Sequence, residues 1–245
     1  MPVAIEVQKI SKQFVLRHTR SLKETIVWLF TGRKGDLSKK FHALRDVDLE
    51  VQQGETVALL GLNGSGKSTL LKHISGVMLP DSGTVRTRGK VAGLIEVGAG
   101  FHHDLSGRDN VYLNGAILGM TEDQINEQFD SIVDFAEIGE FIDTEVRFYS
   151  SGMYLRLAFS VAVHTDPEVF LVDEILAVGD EPFQRKCLDK IKELSAAGKT
   201  LVVVSHDLEL VSRICDRGVV LQHGNVVFDG PIHEAVARLR TESSR

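Results

Sequence analysis

Residues Gly61, Leu62, Asn63, Gly64, Ser65, Gly66, Lys67 and Ser68 fit the pattern G-x-x-x-x-G-K-[ST], a spacing that wraps backbone around phosphate groups. The glycines bend the chain so that successive N–H groups face an anion, and a helix starting here adds the positive end of its dipole. Lys67 adds a point charge toward the β- and γ-phosphates, and the Ser68 hydroxyl suits Mg²⁺. A plain Gly-rich turn would show the same glycines, so the flanks decide. Residues 56–60 are an apolar run with strand character, and 68–74, with Thr69 in the first turn, carry apolar residues at helical spacing.

Asp173 and Glu174 follow a second apolar run, 169–172. Adjacent carboxylates at a strand end invite separate roles: Asp173 to hold Mg²⁺ directly or through water, and Glu174 to orient and polarise the attacking water. His206 follows a third such run, 200–204, and is expected at the same carboxyl edge of the sheet, where open α/β sheets bind ligands. Ser150, Ser151 and Gly152 open an apolar helical run over 155–163, a start suited to holding an anion at a helix N-terminus.

These groups need a scaffold. Short strands are expected at 3–7, 47–51, 56–60, 83–86 and 90–95, and a closing pair at 218–221 and 226–228. Continuous apolar runs at 169–172 and 200–204, separated by a helical segment near 184–196, describe a parallel sheet with crossover helices. Residues 107–164 read as mostly helical, with a capping box at Thr121 to Gln124 ahead of a stripe of Ile125, Phe129, Ile132, Val133 and Ala136. A final helix is expected to open at Pro231. The chain thus reads as a single domain, residues 1–245, with a core over 1–96 and 166–245 and a helical subdomain over about 97–165.

With 245 residues, 43% apolar and 25% charged, the composition is that of an ordinary globular chain. No stretch approaches the ~18–20 apolar residues of a membrane span, so a membrane link would be peripheral. Cys187 and Cys215 lack metal-ligand spacing, which points to reduced structural thiols and a cytoplasmic compartment. The net charge of −6 is unevenly spread: residues 11–40 carry eight Lys or Arg against Glu24 and Asp36. Residues 121–146 hold nine acids and no Lys or Arg, a poor surface for a phosphate backbone.

Taken together, the motifs resemble the ABC-type ATPases. Residues 61–68 are similar to the Walker A motif, 169–174 to Walker B with its catalytic Glu, 150–153 to the signature loop, 177–180 to the D-loop ending in Asp180, and His206 to the switch histidine. The resemblance implies an α/β fold, a P-loop ABC-type ATPase core with a parallel sheet, an antiparallel β part and an inserted helical subdomain. It also implies ATP and Mg²⁺ as cofactors, a head-to-tail homodimer in which each ATP lies between one Walker A and the other chain's signature loop, and Phe14 stacking on adenine. Two departures stand out. The signature reads Tyr149-Ser150-Ser151-Gly152-Met153 in place of the commoner Leu-Ser-Gly-Gly-Gln, and Glu96 stands in the Q-loop, where the family carries Gln. Whether Glu96 replaces that Gln stays open.

The departures themselves resemble one branch. Residues 96–102, 107–115, 149–153 and 173–180 as a set are similar to the ATPase subunits of O-antigen, capsule, teichoic acid and galactan exporters. That resemblance implies a polytopic membrane permease as partner, a lipid-linked glycan as the indirect substrate, and a peripheral place on the cytoplasmic face of the cell membrane. An ABC transporter ATPase for another substrate is the near alternative. A soluble ABC ATPase acting on nucleic acid or ribosomes fits less well with one ATPase domain, no long coiled coil and an acidic balance, so no nucleic acid is expected. Within the basic insertion at about 17–40, residues 21–30 read as a short helix with an apolar stripe of Leu22, Ile26, Leu29 and Phe30. Val27 and Trp28 fall outside the stripe and are flanked by Arg17, Arg20, Arg33 and Lys34, which suits a membrane interface.

Overall fold

The computed structural model describes residues 2–17, 38–93, 100–173 and 180–243. The proposed helix at 21–30, Glu96, Glu174 and residues 177–179 lie outside them.

Strands β1 (Val3–Arg17) and β2 (Ser38–Gln52) pair antiparallel, and β4 (Ser82–Thr87) adds to the other edge of β1. The second sheet has the order β5-β6-β7-β3-β8-β9, with β3 (Thr56–Leu60), β5 (Val91–Gly93), β6 (Val169–Asp173), β7 (Thr200–Val204), β8 (Arg217–Gln222) and β9 (Asn225–Pro231). All its pairings are parallel except β8 with β9. The apolar runs at β3, β6 and β7 are buried on both faces, and this is why they show no alternation in the sequence.

Alternate residues of the central strands feed two different cores. Val57, Leu59, Leu171 and Val202 face α1 (Lys67–Ile74) and the antiparallel sheet, where Leu70, Leu71, Ile5 and Leu49 meet them. Leu60, Phe170, Val172 and Val203 face the other side. There they pack on α5 (Glu181–Ala196), α6 (Leu208–Ile214) and α7 (Ile232–Ser243), together with α4 (Ser151–Val163). A third core joins α2 (Gly107–Ile117), α3 (Glu122–Ala136) and α4 through Val111, Ile125, Ile132 and Leu157. Helix α4 belongs to two cores at once. Leu157, Ala158 and Val161 face the helical subdomain, whereas Phe159, Ala162 and Val163 face the sheet. A helix enclosed on both sides is apolar nearly all round, as the run 155–163 is.

The capping box forms as expected: the Thr121 hydroxyl accepts the Gln124 N–H at 3.3 Å, and the Gln124 carboxamide accepts the Thr121 N–H at 2.9 Å. Two expectations shift. The strands expected at 3–7 and 47–51 extend to 15 residues each. Pro231 closes β9 instead of opening the last helix, which starts at Ile232; β9 is an edge strand, where the missing N–H costs no ladder bond. Both cysteines are buried in the core, and burial pushes each thiol up to about 12. Among the described residues no helix is long and apolar enough to cross a membrane.

Candidate functional site

The loop after β3 is shaped by glycines that no other residue could replace cheaply. Gly66 has φ 112°, and a Cβ there would fall 2.7 Å from the Ala43 carbonyl oxygen and 2.9 Å from Leu44 Cδ2. At Gly61, with φ 148°, a Cβ would collide with the Leu221 carbonyl oxygen and the Ser65 hydroxyl. Gly64 has open space around it but a φ of 78°, the left-handed region. Helix α1 then begins with no side-chain cap and no acid in its first turn, so its leading N–H groups remain available to an anion.

Lys67 is only 6% exposed, and its Nζ donates to the carbonyls of Gly61 at 2.7 Å and Leu62 at 3.2 Å. The amine is folded back into its own loop, among groups whose oxygens imitate those of a phosphate. Among the described residues Ser65 Oγ is buried without a hydrogen-bond partner, and a buried hydroxyl left so carries a desolvation cost that a ligand oxygen would relieve. Ser68 and Asn63 are exposed, and Thr69 is half-buried. Uncapped helix amides, an enclosed lysine and an unsatisfied hydroxyl fit a polyphosphate.

Sheet order brings the remaining groups to the same edge. Asp173 ends β6 opposite Val204 of β7, and β7 lies beside β3. His206, two residues past β7, shares a cleft of about 500 Å³ with Gly61, Leu62, Asn63, Leu208 and Leu239. Asp173 and Ser68 offer carboxylate and hydroxyl oxygens, the donor chemistry of a Mg²⁺ site. Phe14 sits half-buried on the outer half of β1.

The signature residues lie apart from this edge. Ser150 caps α4, its hydroxyl accepting the Met153 N–H at 3.1 Å, and Ser150 and Ser151 are exposed. A Cβ on Gly152 would meet only Ser150 Oγ, at 3.8 Å, so the approach to the helix start is open. A hollow of about 370 Å³ beside it is lined by Ser150, Gly152, Arg156, Glu137 and Asp180. Asp180 caps α5 by accepting the Phe183 N–H at 3.3 Å, and it accepts Arg156 Nη2 at 2.7 Å. Arg156 also donates to Glu137 at 3.0 Å and lies 4.8 Å from the Phe183 ring centroid. Lys186 completes the cluster by donating to Glu137 at 3.0 Å and to the Phe135 carbonyl at the end of α3. Sequence reasoning missed Arg156; its place one turn after Gly152 on a helix otherwise apolar was the available signal.

Two further marker residues explain each other. A Cβ on Gly107 would strike the Tyr149 hydroxyl, which donates to the Phe141 carbonyl at 2.8 Å. Buried Asn110 clasps the loop before α2, accepting the His102 N–H at 2.7 Å and donating to the His102, Leu105 and Ser106 carbonyls.

Known proteins resemble this chain in sequence and in fold. AbcA, an ABC transporter protein of Aeromonas salmonicida, is 49% identical over 83% of this chain. The O-antigen export system ATP-binding protein RfbB of Myxococcus xanthus is 45% identical over 97% of it. The chain spans 66% and 55% of the lengths of these two relatives. The teichoic acids export ATP-binding protein TagH of Listeria monocytogenes is 41% identical over 96% of this chain and 69% of its own length. Among solved structures, an ATP-binding subunit of an ABC transporter aligns over 99% of this chain and 100% of its own at TM-score 0.78 and 22% identity. The dimeric cassette MJ0796 bound to ADP and Pi aligns over 93% of this chain and 98% of its own at TM-score 0.73 and 22% identity. These structures share the fold: a mostly parallel sheet, an antiparallel sheet and a helical subdomain. Residues 44–177 match the ABC transporter family directly, and the chain belongs to that family as one of its ATP-binding cassettes.

Proposed function

We propose that the chain is the ATP-hydrolysing subunit of an exporter that moves a lipid-linked polysaccharide across the cytoplasmic membrane, acting as a homodimer on a separate polytopic membrane subunit at its cytoplasmic face. The observation that carries the ATPase reading is the meeting of a glycine-shaped phosphate loop, Asp173 and His206 at one edge of the parallel sheet. The glycan reading is supported by likeness to RfbB and TagH. In this reading residues 1–96 and 166–245 form the core and about 97–165 the helical subdomain.

Amides of Gly61 to Ser68, with Thr69 behind them, bind the β- and γ-phosphates, and Phe14 stacks on the adenine. Opening of the Lys67 contacts to Gly61 and Leu62 delivers its charge to the phosphate, where it is worth most in a site closed to water. Ser68 and Asp173 would hold Mg²⁺, which would supply positive charge to offset that of the phosphate oxygens. Glu174 orients the attacking water, His206 contacts the γ-phosphate, and Glu96 stands in the Q-loop. Ser150, Ser151 and Gly152 approach from the other subunit, with Asp180 beside them.

Two variants separate these roles. Lys67→Ala lowers ATP affinity and turnover together, whereas Glu174→Gln retains ATP and accumulates a nucleotide-bound dimer with turnover reduced at least about a hundredfold, within the range set by general-base loss. Wild-type hydrolysis by Glu174→Gln, measured with the membrane subunit present, refutes the base assignment. Co-purification with nucleic acid instead of a polytopic membrane protein refutes the export reading.

A further inference from the structure

Strand β2 is held against the phosphate loop by an unusual device. Lys12 of β1 pairs with Leu44, but the next residue, Gln13, pairs with His42, so Ala43 is an extra residue in β2. Such a bulge bends its strand and re-aims its groups. Here the Ala43 carbonyl comes so close to both Gly66 and Gly224 that a Cβ on either would fall 2.7 Å from it. Gly224 donates its N–H to the Ser65 carbonyl at 2.9 Å and accepts the Arg45 N–H at 2.8 Å. Phosphate loop, β8–β9 turn and residues 43–45 therefore make one hydrogen-bonded block.

Phe41 lies two residues before the bulge, about 7 Å along the strand. Its cross-strand partner is Phe14, and directly opposed residues of an antiparallel pair place their side chains on one face. Phe14 is half-buried, while Phe41 is 45% exposed. Two aromatic residues thus occupy directly opposed positions beside the strand's contact with the phosphate loop, one with nearly half its surface uncovered.

We infer that Phe41 is a second nucleobase-binding residue, which together with Phe14 grips the base of the nucleotide whose phosphates lie in residues 61–68; this rests on the nucleotide-binding reading above. Continuity with the phosphate loop selects a nucleobase as occupant. A phenyl ring has no hydrogen-bonding group, so the grip is by stacking and apolar contact, which every base can make. Purine triphosphates other than ATP are then accepted with similar affinity.

The indole introduced by Phe41→Trp, in a Trp28→Phe background that removes the native tryptophan, reports on the base directly. ATP is expected to quench it, and inorganic triphosphate to leave it unchanged. In calorimetry Phe41→Ala weakens ATP binding about tenfold, a size within the range for loss of one stacking ring, without weakening triphosphate binding, and Phe41→Tyr restores it. An unquenched indole in a chain that binds ATP with wild-type affinity overturns the proposal, as does equal weakening of ATP and triphosphate by Phe41→Ala. Failure of the wild-type chain to bind ATP overturns the nucleotide reading itself and this proposal with it.

Discussion

Lys67 and His164 show how burial sets what a charged side chain can do in this protein. Lys67 lies in an enclosed loop where two backbone carbonyls accept from its amine, an arrangement that a phosphate can take over without further desolvation. His164 donates its Nδ1–H to the Ser160 carbonyl at 2.7 Å and packs edge-on against Phe135. Burial lowers its pKa below the usual imidazole value. As pH falls below about 6.5 the unfolded chain takes up a proton at this site before the folded chain does. The contribution to stability is therefore full above that pH and lost as pH falls through the folded-state value. In urea unfolding at pH 7.5 and 5.5, wild type should lose more stability over the interval than His164→Gln; equal losses would remove His164 as the cause. At this scale the sequence was most legible where a function is written in consecutive residues, as in 61–68. Arg156, Phe41 and Gly224 escaped notice because each matters through a partner distant along the chain: Asp180, Phe14 and Ser65.

Helix α4 carries Ser151 and Gly152 at its start and is locked between two cores, and Arg156 ties it to its neighbours. One guanidinium reaches the C-terminal cap of α3 at Glu137 and the N-terminal cap of α5 at Asp180. Each carboxylate is about half exposed, so each pair alone is worth at most about 1 kcal/mol, and the contact with Phe183 adds a similar amount. Arg156→Ala should cost about 1–2 kcal/mol in urea unfolding yet lower ATP turnover several-fold with ATP affinity unchanged. Arg156→Lys cannot span both carboxylates and should restore stability better than turnover. If both variants hydrolyse ATP normally, the tie is only structural. Elements with strong periodicity, such as α3, were read well because one buried stripe dictates them. The outer halves of β1 and β2 were not, because residues 11–13 are polar and their strand state comes from pairing with a partner about 30 residues away.

Across the whole molecule, Arg217 fastens the two sheets together. It forms a two-pronged pair with Asp229 at 2.6 and 2.7 Å and also donates to Glu55 and to the Glu50 carbonyl on β2. The sheets are thus joined at Arg217, while Ser150 and Gly152 at the start of α4 line a different hollow from the cleft of Gly61 and His206. In the proposed head-to-tail dimer, Ser150 to Gly152 of one subunit complete the phosphate site of the other. Pairing a Lys67→Ala chain with a Ser150→Arg chain should place both lesions in one site and leave the other intact. Single-site nucleotide trapping is expected to show one working site in such mixed dimers, and equal damage to both sites would refute the head-to-tail arrangement.

The β8–β9 turn has a consequence for protein engineering. His223 and Gly224 form a two-residue hairpin with positive φ at both positions, the kind of surface reversal usually chosen for splicing in an epitope or reporter. Here the hairpin is wedged between the phosphate loop and the bulge, so a spliced peptide would displace Ser65 and Ala43 together. An eight-residue epitope after Gly224 should leave a folded chain that no longer retains ATP on an affinity resin. The same epitope after Gly198, where a Cβ would meet open space, should be carried without effect. What looks like the most permissive corner of the sheet is, for an engineer, a hidden part of the nucleotide clamp.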